Sequence, residues 1–179
     1  MFKRIAAFII AALTVVTLFS SCGGKDDENE LPEGFLMATN DAVDYYFYYP
    51  AGWTLDKNDG MISAYASEQD PATLSVTTFN APSDFENLDK YFNETYEELF
   101  KANFGDAAYT EKGTEILLEK YPAYRCQFVS DIAGGKYKFM QVMSVKGGYI
   151  YLITYTSSEE NYDKYYDDMV KAVEYFKFK

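Results

Sequence analysis

Two cysteines, 28 carboxylates and 18 tyrosines are the side chains of this 179-residue chain that could do chemistry; histidine is absent. That absence removes the commonest acid–base group near neutral pH and the commonest metal ligand. Cys22 closes the apolar run Leu18-Phe19-Ser20-Ser21-Cys22 and stands where an exported protein would begin. Cys126 lies in an expected strand, Tyr124–Val129, on the same face as Tyr124 and Phe128. It reads as a buried small hydrophobe. A reactive thiol needs a basic or helix-terminal setting, and alternation sends Arg125 to the other face. With Cys22 modified, Cys126 is alone and no internal disulfide can form.

Other candidates fall away in turn. There is no nucleophile elbow, no metal-spaced cysteine or histidine set and no metalloprotease signature. Gly134-Gly135-Lys136 lacks the Ser or Thr and the earlier glycine of a phosphate loop, and reads as a turn. A sugar hydrolase needs two carboxylates on opposite sides of a cleft, and no spacing here places such a pair. Asp26-Asp27-Glu28 and Asp167-Asp168 read as solvated charge. Asn93-Glu94-Thr95 matches a glycosylation sequon but falls mid-helix. No catalytic, cofactor-binding or metal-binding residue is assigned, no cofactor is expected, and the chain reads as a non-enzyme. A formal charge of -12 argues against nucleic acid as a partner, because phosphate backbones are met by Lys and Arg clusters.

The segment before Cys22 has the layout of an export signal. Lys3 and Arg4 precede an apolar stretch from Ile5 to Phe19, shorter than the roughly 20 residues that a bilayer-spanning helix needs. LFSSC followed by Gly23-Gly24 resembles the lipobox of bacterial lipoproteins. The resemblance implies cleavage after Ser21, a diacylglycerol on the Cys22 sulfur and an acyl chain such as palmitate on its new amino terminus. Phe19 departs from the pattern, which prefers an aliphatic residue there. Cys22 is thus the expected lipidation site, membrane lipid the expected partner, and the outer side of the cell membrane or outer membrane the expected location. Residues 1–21 read as the signal, 22–34 as an acidic flexible tether and 35–179 as one domain.

Within that domain, period-two alternation marks strands at Ala42–Tyr49, Trp53–Leu55, Met61–Ala66, Leu74–Phe79, Thr114–Lys120, Tyr124–Val129, Tyr137–Val145 and Tyr149–Thr156. Pro122 is read as a separator, and Lys57–Gly60, Ala133–Lys136 and Lys146–Gly148 as turns. A first helix is expected behind a Ser83/Glu86 capping box, with a stripe of Leu88, Phe92, Tyr96 and Leu99 joined by Tyr91, Thr95 and Phe100, and with Gly105 past its end. A last helix is expected behind a Ser157/Glu160 box, with Tyr162, Tyr166, Met169, Val170 and Val173 inward. Phe176 and Phe178 would tuck the tail back. Tyr149–Thr156 is apolar on both faces, so it belongs at the centre of a sheet covered on both sides. The expected class is α+β: an antiparallel sheet of about six or seven strands flanked by helices in an α/β/α sandwich.

The segments YYPAGW (Tyr48–Trp53), LSVTTFN (Leu74–Asn80), LDKYFNETYEELF (Leu88–Phe100), KYPAYRCQF (Lys120–Phe128) and QVMSVKGGYIYLITYTSSEENYDKYYDDM (Gln141–Met169) resemble, in order and spacing, the PsbP-like family, whose fold is shared with Mog1. The resemblance implies that Trp53 plugs the core at a corner and that Tyr155 and Thr156 end the strand feeding the last helix. It also implies a lipid-anchored binding or accessory protein of the cell envelope with an envelope protein as partner. A small-ligand or cation-binding sensor and a carboxylate-based hydrolase are the alternatives. Tyr46 and Tyr48 are expected in the core, or else on an exposed aromatic platform.

Overall fold

A computed structural model of the protein describes residues 31–39, 41–58, 61–105, 107–132 and 134–179. The expected export signal, Cys22, the Asp26–Glu28 run and the Asp59-Gly60 turn lie outside the described residues.

The strands are β1 (Phe35–Ala38), β2 (Tyr45–Pro50), β3 (Thr54–Asn58), β4 (Met61–Tyr65), β5 (Thr73–Asn80), β6 (Ala108–Leu118), β7 (Tyr121–Ile132), β8 (Gly135–Lys146), β9 (Tyr149–Ser158) and β10 (Lys177–Phe178). Helical segments are α1 (Leu88–Tyr91), a π-helical turn (Phe92–Tyr96) and α2 (Glu97–Phe104), which follow one another directly, and α3 (Tyr162–Glu174). Seven strands form one sheet in the order β3-β4-β5-β9-β8-β7-β6, and every adjacent pair is antiparallel. β9 is the middle strand, as its two apolar faces require.

The first expected strand does not join that sheet. β2 pairs instead with β1 on one side and β10 on the other in a small three-stranded sheet. Phe35–Ala38 and Lys177–Phe178 are too short to carry a periodic signal, so their pairing was not visible in the sequence.

Two apolar clusters lie on opposite faces of the large sheet. Tyr91, Phe92, Tyr96 and Phe100 pack on Cys126, Phe128, Phe139, Met143 and Ile150. On the other face, α3 and the small sheet cover Val76, Val142, Tyr151, Ile153 and Tyr155. The result is the expected three-layer arrangement, with the small sheet sharing one outer layer. Tyr48 is buried and Tyr46 half-buried in that second cluster, so both belong to the core.

Both expected capping boxes are replaced. Pro82–Phe85 forms a turn, with Phe85 N–H donating to the Pro82 carbonyl. The helix starts later, where Asn87 Oδ1 accepts from Lys90 N–H at 2.8 Å. Ser157 stays inside β9, and α3 is preceded by Asn161 without a side-chain cap. Of the expected inward residues, Tyr91, Phe92, Tyr96 and Phe100 are buried, whereas Thr95 is exposed and Leu99 is 47% exposed. Aromatic residues recur every fourth position, and a pure α-helix rotates such a row by about 40° per step. The π turn under-winds the rod, keeping Phe92, Tyr96 and Phe100 over the sheet.

Pro122 does not separate strands but lies within β7, opposite Leu117. The hairpin turns instead at Glu119 and Lys120, with Glu119 at φ +56°. Pairing with β8 begins only at Ala123, so the N–H that proline lacks is not needed there.

Candidate functional site

A concavity opens at one end of the large sheet, where β5 finishes and β9 begins. Thr78 pairs with Tyr151, and Asn80 with Tyr149. Side chains two apart share a face, so these four form a floor on the α3 side of the sheet. The Asp41–Asp44 segment leading into β2 forms the facing wall. The cleft has a volume of about 450 Å³.

The C-terminal tail holds that wall in place. Lys179 N–H donates to the Asp44 carbonyl at 2.8 Å, and Lys179 Nζ donates to the Val43 carbonyl at 2.7 Å. Tyr151 OH donates to Asp44 Oδ2 at 2.5 Å. Burial, and then the Asp44 carboxylate, push the Tyr151 hydroxyl far above the usual tyrosine range, so it remains a donor at any physiological pH. Lys146 Nζ lies 4.0 Å from Asp44 Oδ2 and donates to the Lys179 carbonyl at 2.9 Å. Asp44 is therefore engaged by a donor and a cation, while Asp41, Asn80 and Tyr149 are exposed. Thr78 Oγ1 is shielded from water and makes no hydrogen bond among the described residues.

This site offers hydrogen bonds and an aromatic surface. Its two carboxylates share one wall rather than flanking the cleft, and no group of three or more His, Cys, Asp or Glu among the described residues could hold a metal ion. No local signal in the sequence marks these residues. Asn80 and Tyr149 look like ordinary strand ends until the register puts them side by side.

The residues that the sequence did single out lie elsewhere. Cys126 is 2% exposed, and burial pushes its thiol up to about 11, so it is protonated and inert near neutrality. Its sulfur is 3.2 Å from Tyr96 OH. Arg125 lies on the opposite face, bonded through Nε to Glu111 Oε1 at 2.8 Å. Gly134-Gly135-Lys136 runs from a turn into β8. Trp53 is buried at the corner, its ring edge-on to Tyr165 with centroids 5.2 Å apart. Tyr155 OH donates to the Tyr162 carbonyl at 2.8 Å, tying the end of β9 to the start of α3. Among the described residues, no helix is long and apolar enough to cross a membrane.

Solved structures with the same arrangement of elements include the cyanobacterial PsbP protein CyanoP from Synechocystis, at TM-score 0.58 and 14% identity, covering 88% of this chain and 99% of that one. LpqN of Mycobacterium tuberculosis, described as involved in cell envelope biogenesis, matches at TM-score 0.60 and 14% identity over 74% of this chain and 81% of its own. The Ran-binding protein Mog1p of Saccharomyces cerevisiae matches at TM-score 0.58 and 8% identity over 80% and 95%. The chain has the PsbP/Mog1 fold. At these identities the likeness is one of fold alone. No protein-family model and no curated protein matches the sequence. Within this PsbP/Mog1 fold, the Trp53 corner and the Tyr155–Tyr162 passage are structural joints, and the cleft at the β5–β9 end is the candidate working surface.

Proposed function

We propose that this protein is a lipid-anchored accessory protein of the cell envelope, held on the outer side of a membrane by acylated Cys22 and acting by binding an envelope protein. The observation that carries the reading is the PsbP/Mog1 fold, shared with CyanoP and the envelope-biogenesis protein LpqN. The lipobox-like LFSSC supports the anchor, and two or three acyl chains would hold the domain firmly where one would not. The candidate cleft supports binding over catalysis, since it presents hydrogen-bonding groups and an aromatic face without opposed acids.

Two measurements test this. Native protein is expected in the membrane pellet after alkaline washing, and the Cys22→Ser variant in the wash. Retention of the variant defeats the anchor. Crosslinking in intact cells is expected to capture envelope proteins with the native chain; adducts confined to cytosolic proteins would overturn the assignment.

A further inference from the structure

We propose that the cleft between the Asp41–Asp44 segment and the ends of β5 and β9 binds a small, uncharged, hydroxyl-rich ligand of the chemical class of a sugar ring. The inference rests on the cleft and not on the acylation of Cys22.

Size comes first. A volume of about 450 Å³ lies within the range of small-molecule sites. The lining then selects the chemistry. Tyr149 is 46% exposed at the mouth and offers a flat apolar ring with a polar tip, suited to the C–H face of a sugar. Asn80, its cross-strand neighbour, supplies an amide that both donates and accepts. Asp41, from the opposite wall, adds an acceptor for a ligand hydroxyl. Thr78 lies at the floor, and its hydroxyl makes no hydrogen bond among the described residues. Leaving such a group unpaired away from water is unfavourable. Rotation of its side chain toward a ligand hydroxyl would recover that bond.

Charge argues against a cationic ligand. Asp44 already takes the Tyr151 hydroxyl and stands 4.0 Å from Lys146 Nζ, so the cleft is not a bare acid pair awaiting a cation. The wall is set beforehand by Lys179 and Tyr151, and a preformed site loses less affinity to ordering on binding.

The test uses the full chain in a zwitterionic detergent without sugar headgroups. Glucose, N-acetylglucosamine and cationic glucosamine are titrated separately, with saturation-transfer NMR as the readout. Transfer to at least one neutral sugar is expected. Asn80→Ala and Tyr149→Ala should each weaken it at least ten-fold without moving the melting temperature, because both side chains are exposed. Leu99→Ala, on the first helix, should change nothing. Absence of transfer to both neutral sugars overturns the proposal. So does transfer undiminished in an Asn80→Ala/Tyr149→Ala double variant. Binding of glucosamine alone overturns it in favour of a cation site.

Discussion

Tyr96 brings a hydroxyl into an otherwise apolar cluster, and two neighbours, Gln141 and Cys126, satisfy it. It donates to Gln141 Oε1, Gln141 Nε2 donates to Thr154 Oγ1, and the Cys126 thiol completes the set. Gln141 is the polar residue between Phe139 and Met143 on an apolar strand face, and no local signal names its partner, because the two meet only when the first helix docks. Tyr96→Phe leaves the Gln141 oxygen buried and unpaired. The variant is expected to lose about 1–3 kcal/mol, measured by urea unfolding, and Gln141→Leu added to it should recover part of the loss. A second network gives the fold a pH dependence. Burial pushes the Glu111 carboxyl up, but hydrogen bonds from Arg125, Thr114 and Gln127 outweigh it and hold the carboxyl below its ordinary 4.5. A lowered folded-state pKa stabilises the protein above the ordinary value, and that contribution is lost as pH falls through the lowered one. Glu111→Gln should therefore lower stability at pH 7 and flatten its decline below about pH 5, read from melting temperatures across pH; an unchanged acid limb would remove Glu111 from the explanation.

The first helix and β6 fit together through one glycine. β6 carries an extra residue between Glu111 and Thr114, and Gly113 sits in that bulge at φ +67°. A Cβ there would come 2.9 Å from Phe92 Cε1, at the start of the π turn. Gly105 also has positive φ, +56°, but nothing lies within 4 Å of a Cβ added there. Positive φ disfavours alanine at both positions; only Gly113→Ala must also displace Phe92. Thermal unfolding is expected to show a clear loss for Gly113→Ala, and a smaller loss when the same change is made in a Phe92→Leu background; equal losses in the two backgrounds would show that the Phe92 contact is unimportant. The helix end at Gly105 was legible because a glycine past the last turn is a local signal. The helix start and the outward place of Leu99 were not, because a turn at Pro82–Phe85 and a π turn shift the phase, and both answer to the sheet beneath.

Across the whole molecule, the C-terminal tail joins the two sheets and the candidate cleft. Phe176 stacks on Tyr45 with centroids 5.5 Å apart. Phe178 meets the edges of Tyr151 and Tyr121 at 4.8 and 5.1 Å. β10 extends β2, and Lys179 holds the cleft wall. A buried phenylalanine contributes about 1.5–3 kcal/mol. Deleting residues 176–179 should therefore cost several kcal/mol, lower the melting temperature sharply and expose β2 to proteolysis. A truncated chain as protease-resistant as the native one would mean that the small sheet stands without its third strand.

Periodicity and turn chemistry are local, and they sufficed for most strands of the large sheet, for the Lys146–Gly148 hairpin and for the central place of β9, whose two faces are both apolar. The expectation for Cys22 also rests on its own neighbours alone, and it lies outside the described residues. The small sheet and the cleft had no such signal. β1 and β10 are short, they pair with β2 from nearly opposite ends of the chain, and Asp41, Asn80 and Tyr149 become neighbours only through strand register. Pairing between distant segments is selected by the burial of the assembled core, which no short window of residues contains.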